Sequence, residues 1–226
     1  MDRPPQEVDI PKRRRRARAA LVGGVLALAL LSPAIGYYGF YNRGINEHLD
    51  ASYIAAAETR MWKAYYTESP GRMIVELFRL LRHQFGLSVV SATLVGKDLA
   101  IAATTFSKIT EDYERRIVPP LERAYARIRD AVDEQWDPHA VARAELAWWV
   151  ARRTPGQNSP EAVGRAIAHQ YAVMHGETNA DIERAGLLRA RAGHLRDQGE
   201  RNADWEQIEA LLAESYCALI RGTGRD

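Results

Sequence analysis

The segment DPHAVARAELAWWVARR, residues 137–153, is the clearest structural signal in this chain. Asp137 and Pro138 form a helix start, because the carboxylate accepts a hydrogen bond from a free backbone N–H and proline has no N–H to leave unpaired. The apolar side chains that follow are Val141, Leu146, Trp148 and Trp149. The polar loop 154–158 ends the run. We therefore predict a helix over 138–153.

The same kind of start recurs along the chain after residue 45. Each start is followed by an amphipathic run and then by glycine or a polar break, and no alternating strand pattern competes with it. The predicted starts are Asn46, Ser69-Pro70, Ser88, Thr110, Asp137-Pro138, Ser159-Pro160, Asn179 and Asn202. The sequence therefore predicts an all-α fold, an irregular bundle of about eight helices. A repeat-like scaffold is the alternative, because the last two predicted helices have the outline of a tetratricopeptide-like hairpin.

Three of the predicted helices carry more detailed expectations. In the second, the apolar side chains within 74–81 follow the i, i+3, i+4, i+7 spacing of one buried face. The third, 88–107, is apolar nearly all round, so we expect it at the centre of the bundle; a second membrane span is the alternative, although Lys97 and Asp98 at its middle argue against it. The fourth should be interrupted or kinked at Pro119-Pro120, because proline removes a backbone donor.

A predicted membrane-targeting segment precedes these helices. The basic residues Lys12 to Arg16 and Arg18 lead directly into 19–41, a segment without Asp, Glu, Lys or Arg that ends in aromatic residues. At a rise of about 1.5 Å per residue, such a helix crosses a hydrocarbon core of about 30 Å. The excess of basic residues places the N-terminus in the cytoplasm. We therefore predict a basic cytoplasmic tail (1–18), one transmembrane helix (19–41) in a bacterial inner membrane, and an extracytoplasmic helical domain (42–226).

A cleaved signal peptide is the alternative to the anchor. The basic start, the apolar run and the small residues Ser32-Pro33-Ala34 also fit a secretory signal, which would leave the domain secreted. Pro33 beside the cleavage site and the aromatic residues beyond it favour the anchor. Both interpretations export the domain.

Charge and missing motifs exclude several functions. The tail 1–18 holds seven basic and three acidic residues, a balance of +4, whereas the whole chain has +2. The domain is therefore nearly neutral and lacks the basic surface that nucleic acid requires, so we predict no nucleic-acid partner. Cys217 is the single cysteine, which excludes an internal disulfide and a cysteine-rich zinc site. No phosphate-binding loop or hydrolase motif occurs, and we predict no cofactor.

Acidic residues on apolar helix faces are the candidate site. Glu58 precedes Trp62 by one turn, and Glu145 precedes Trp149 in the same way. Glu122 is a weaker instance, and Asp98 interrupts the most apolar helix. A carboxylate among buried aromatic rings must be solvated, paired or protonated. The candidate pocket therefore comprises Glu58, Trp62, Asp98, Glu122, Glu145 and Trp149.

Three interpretations of this pocket remain open. Inward carboxylates from several helices resemble the metal sites of ferritin-like bundles, but those sites use Glu-x-x-His pairs and none occurs here, so we predict no metal. Structural ion pairs with arginine are favoured, and Arg152 is one possible partner of Glu145. An acid/base or ligand-binding pocket is the third interpretation. For Asp98, exposure beside Lys97 is favoured over a position at a pocket floor.

Three segments carry a resemblance to a known group of proteins. They are 61–66 (MWKAYY), 121–125 (LERAY) and 144–153 (AELAWWVARR). Together they resemble a family of uncharacterised bacterial all-helical proteins, over about residues 55–221. The resemblance implies an all-helical fold and no known activity. The family pattern has a His-Arg pair after the tryptophans where this chain has Arg152-Arg153, which weakens a catalytic role.

Taken together, the sequence predicts a single-pass membrane protein that displays a helical domain outside the cytoplasm. The N-terminal helix would contact membrane lipid, and the domain would bind a protein partner or a second copy of the chain. The alternative is an enzyme or ligand binder that uses Glu58, Glu122 and Glu145, which requires these carboxylates to converge.

Overall fold

The computed structural model describes Tyr41 and residues 50–224. The predicted tail 1–18 and, apart from Tyr41, the predicted transmembrane helix 19–41 lie outside the described residues, so both stay predictions. The described part is all-α, with eight α-helices and no strand. These are α1 Ala51–Tyr66, α2 Pro70–Gln84, α3 Val89–Lys108, α4 Tyr113–Val132, α5 Pro138–Arg153, α6 Pro160–His175, α7 Ala180–Gly199 and α8 Trp205–Gly222.

Side-chain caps explain where most of these helices begin. The side chains of Asp137, Ser159 and Asn179 each accept a hydrogen bond from a backbone N–H in the first turn of α5, α6 and α7. The predicted starts of these three helices are confirmed. The last helix begins two residues later than predicted, because Asn202 lies in a short 3₁₀ turn and Asp204 is the cap.

Helix α4 continues through its two prolines. It runs from Tyr113 to Val132 with Pro119 and Pro120 inside it. The predicted interruption is therefore wrong, and the alternative, a kink at the prolines, stays a prediction. Two backbone donors are missing there. Burial of Val118, Pro120 and Leu121 on one side of the helix offsets this loss, because these side chains pack into the core only if the helix continues.

The helices close a ring in chain order. Each packs against the next one along the sequence, and α1 also packs against α8. The three apolar clusters lie along this ring: one among α2–α5, one among α1, α7 and α8, and one among α5–α8. The packing of α6 on α7 is especially close, because Gly164 and Gly186 meet where the two helices cross.

Helix α3 does not occupy the centre that its composition predicts. Its buried residues are Ala92, Val95, Asp98, Ala102 and Phe106, and much of its remaining surface is exposed. Alanine raises the apolar character of the sequence but can lie at a surface at little cost, and Val89, Val90 and Ile101 are also exposed, so hydropathy overstated burial. By length and composition, α3 is also the one described helix that could cross a membrane.

Helix α2 packs most of its predicted face against the core, with Leu77 and Phe78 partly buried, but leaves the N-terminal end of that face in solvent. Leu81 is 3% exposed, whereas Ile74 on the same predicted face is 61% exposed. Only Glu76 and Leu81 of this helix are buried. The periodicity identified an apolar stripe correctly, but the described part of the chain offers no element that covers its N-terminal half.

Candidate functional site

Glu58 lies inside the ring and pairs with an arginine. Its side chain is 2% exposed. Arg189 of α7 donates from Nη1 to Oε2 at 2.7 Å and from Nη2 to Oε1 at 2.6 Å, and the Tyr216 hydroxyl of α8 donates to Oε2 at 2.6 Å. Both carboxylate oxygens are therefore occupied by donors from helices distant in sequence. The predicted ion pair with arginine is present at Glu58.

The charges of this cluster stabilise each other. Burial, the largest single cause, would lower the pKa of Arg189, but the Glu58 carboxylate together with Tyr216 and Tyr171 outweighs it and raises that pKa well above the ordinary value. Burial also raises the pKa of Tyr216, well above its usual value, and that of Tyr171. The arginine therefore stays charged and both phenols stay protonated at neutral pH.

Glu145 of α5 is held by uncharged donors. The Tyr125 hydroxyl donates to Oε2 at 2.9 Å, and the indole N–H groups of Trp148 and Trp149 donate to Oε2 and Oε1 at 3.1 and 2.7 Å. Gln170 Nε2 of α6 adds a fourth bond at 2.5 Å. Arg152, the partner considered from the sequence, instead lies 3.4 Å from Asp197. Tryptophans that looked like packing residues are thus hydrogen-bond donors.

The two carboxylate clusters meet at Tyr171. Both Glu58 and Glu145 raise the pKa of this phenol, after burial, which is the largest cause. Gln170, adjacent in sequence, donates from its amide to both Glu145 and the Tyr125 hydroxyl. Carboxylates from α1 and α5 thus approach the same interior region, but both oxygens of each already accept hydrogen bonds. This arrangement suits a structural polar network, and we see no free base in it.

The other two acidic candidates lie apart from this network. Glu122 is about half exposed and its Oε2 lies 2.9 Å from His139 Nδ1 on α5, so it does not converge with Glu58 and Glu145. Asp98 is 1% exposed, which corrects the predicted position beside the exposed Lys97. Arg123 and Arg127 of α4 occupy its two oxygens at 3.1 and 2.6 Å. Two arginines one turn apart made its burial possible.

The tryptophan candidates occupy different surroundings. Trp149 packs edge-on against Phe106, with ring centroids 5.2 Å apart, while its N–H binds Glu145. Trp62 borders a cleft of about 230 Å³ between α1, α5, α6 and α7. The guanidinium of Arg196 stacks on its ring at 4.2 Å. No sequence signal pointed to Arg196 or Asp197, since neither falls in a motif.

A metal centre gains no support from the geometry. Among the described residues, no group of three or more His, Cys, Asp or Glu is placed to hold a metal ion. Comparison of the chain with family models, with curated proteins and with solved structures finds no match. The resemblance drawn from the three sequence segments therefore stays a prediction.

Proposed function

We propose that this protein is a membrane-anchored self-association module. The single observation that carries the proposal is a set of exposed aliphatic side chains on two helices that pack together, here called the α2–α3 face: Ile74, Val75, Val89, Val90 and Ile101. Their exposed fractions run from 37% to 61%, and they are all the large aliphatic side chains that are exposed in the described residues. Exposed aliphatic residues gathered on two adjacent helices are typical of a protein-binding surface.

Charge indicates what covers this face. The exposed charged side chains of α2 and α3 are all basic and include Arg72, Arg79 and Lys97, because the acids Glu76 and Asp98 are buried and paired with arginine. The exposed surface of α8 carries Glu206, Glu209 and Glu214. We therefore assign α8 of a second copy as the surface that docks on the α2–α3 face. Because the two docking surfaces differ, association can continue from copy to copy beyond a dimer.

The anchor supports this assignment through local concentration. A single uncharged helix over 19–41 would confine all copies to one membrane and orient them alike. Confinement raises the effective concentration of the two surfaces, so a modest interface suffices for association.

Disulfide trapping tests the interface in native membranes. Cys217 lies exposed on α8 and is the natural probe. In the full chain, Ile74→Cys should form disulfide-linked dimers and larger species on mild oxidation, visible on a non-reducing gel. Glu183→Cys, an exposed position on α7, is the matched control and should form far fewer.

Two results would contradict the proposal. Equal crosslinking of Ile74→Cys and Glu183→Cys would remove the α2–α3 face as an interface. Dimers of Ile74→Cys that persist when Cys217→Ser is added would exclude α8 as the docking surface.

The anchor has its own test. Mass spectrometry of the chain extracted from membranes should give the intact 25.4 kDa species. A mature chain that begins shortly after Ala34 would contradict the anchor and support the secreted alternative.

A further inference from the structure

We propose that the cleft bordered by Trp62 and Trp148 binds a small organic anion, with its charged group at Arg152 and its apolar part against the tryptophans. This site is separate from the α2–α3 face and does not depend on self-association. The cleft measures about 230 Å³. Ligand pockets commonly have about 300–1,000 Å³, so the occupant is a small molecule.

The arginines that line the cleft outnumber by one the carboxylates that neutralise them. Of its three arginines, Arg189 is taken up by Glu58. Arg152 and Arg196 share one carboxylate, that of Asp197, which lies 3.4 Å from Arg152 Nε and 2.8 Å from Arg196 Nη2. His194 also lines the cleft and adds a further donor.

Arg152 is the arginine with donors to spare. Arg196 stacks on Trp62, and its Nε and Nη2 groups both point at Asp197. Within the described residues, the guanidinium of Arg152 makes no hydrogen bond, and its contact to Asp197 is from Nε at 3.4 Å. Its two terminal nitrogens thus remain for a ligand, and a guanidinium offers them as a matched pair to a carboxylate or phosphate.

The electrostatics of Arg152 agree with this geometry. Partial burial lowers its pKa, and repulsion from Arg196 lowers it further. A bound anion would offset the repulsion between Arg152 and Arg196. The two positive charges would in turn stabilise the bound anion.

The rest of the cleft favours an apolar or aromatic body on the anion. The indole N–H of Trp148 is bound to Glu145 and Gln170, so this ring offers the cleft only its apolar surface. Ile167 and Val163 of α6 add aliphatic surface. An anion with one ring or a short chain would therefore fit better than an inorganic ion.

Isothermal titration calorimetry of the full chain in detergent micelles tests the site. Benzoate and phenyl phosphate are the anionic probes, and benzyl alcohol is the uncharged control. We expect saturable binding of at least one anion with a dissociation constant of about 1 mM or below, and none of benzyl alcohol. Whether benzoate or phenyl phosphate binds more tightly distinguishes a carboxylate ligand from a phosphate ester.

Two variants locate the binding. Arg152→Gln should lower the affinity for the anion about tenfold, the effect of one charged hydrogen bond. Arg165→Gln, at an exposed position on α6, should leave the affinity unchanged. Gly193→Leu should also block binding, because a side chain there enters the cleft and a Cβ would meet nothing closer than 3.9 Å. Circular dichroism checks that each variant folds.

The proposal fails on either of two results. One is the absence of saturable binding of both anions by the wild-type chain. The other is equal affinity in wild type and in folded Arg152→Gln or Gly193→Leu, which would place the anion elsewhere on the protein.

Discussion

Glu58 on α1 and Arg189 on α7 lie 131 positions apart in sequence and form a two-bond ion pair that ties the first helix of the ring to the seventh. The carboxylate is 2% exposed and the guanidinium 21%. Because the Tyr216 hydroxyl bonds to both, this pair joins α1, α7 and α8 at the point where the ring closes. The pair therefore explains how a fold built from neighbours in sequence becomes a closed structure.

Removing one partner of this pair should destabilise the fold strongly. Glu58→Gln leaves the largely buried Arg189 without its counter-charge, and we expect a loss of about 3 kcal/mol in the free energy of unfolding. Urea denaturation followed by circular dichroism measures it. Glu122→Gln, which removes an acid from a half-exposed pair, is the control and should change stability by less than about 1 kcal/mol. Equal effects of the two variants would show that the interior pair does not stabilise ring closure.

The buried phenols predict a loss of stability at alkaline pH. Burial, followed by the Glu145 carboxylate, raises the pKa of Tyr125 well above 10.0, and burial also raises the pKa values of Tyr171 and Tyr216. The folded state therefore holds these protons more tightly than the unfolded state. Below the tyrosine pKa of the unfolded chain, about 10, these phenols should make no pH-dependent change in the free energy of unfolding. Above that pH the free energy of unfolding should fall.

The measurement is the unfolding free energy at a series of alkaline pH values. Tyr216→Phe removes one of the three groups, so its stability should fall less steeply than that of wild type above pH 10, although the lost hydrogen bond to Glu58 lowers its absolute stability. Identical pH slopes for the variant and wild type would contradict the assignment of a raised pKa to Tyr216.

The crossing of α6 and α7 depends on two glycines. A Cβ at Gly186 would lie 2.7 Å from the backbone nitrogen of Ala168, and one at Gly164 would lie 2.8 Å from the Cα of Leu187. Gly186→Ala should therefore destabilise the protein by about 1–3 kcal/mol, even though alanine favours helices. Thermal unfolding measures the change. Gly71→Ala, where nothing lies within 4 Å, should be neutral or stabilising, and a neutral Gly186→Ala would show that the helices are less closely packed.

The sequence predicted the helices better than their arrangement. Capping residues such as Asp137 and Ser159 act over a few residues, so the helix starts could be read locally. Whether a stripe such as Ile74 to Leu81 is covered depends on helices far away in the chain, and Ile74 proved to be exposed. Periodicity measures the apolar surface that a helix offers, which differs from the surface that the fold buries.

The candidate site shows the same division. The face shared by Glu145 and Trp149 follows from their i, i+4 spacing, and the structure places a hydrogen bond between them. The partners of Glu145 from other helices, Tyr125 and Gln170, carried no sequence signal. For Asp98, adjacency to an exposed lysine suggested exposure, whereas the arginines of α4 that allow its burial could be recognised only once the helices were paired.

Arg152 and Asp197 should respond to mutation in opposite directions. The fold lowers the pKa of Arg152 through burial and through repulsion by Arg196, so the folded state disfavours its charge. Arg152→Gln removes that charge, and the melting temperature should stay the same or rise. Asp197→Asn weakens the acceptor for Tyr66 and Arg196 and leaves two arginines unneutralised, so we expect a loss of about 1 kcal/mol. Thermal unfolding of both variants at low ionic strength checks the contrast. A clear loss of stability in Arg152→Gln would show that its contact with Asp197 outweighs the repulsion and would remove the electrostatic reason for an anion at this cleft.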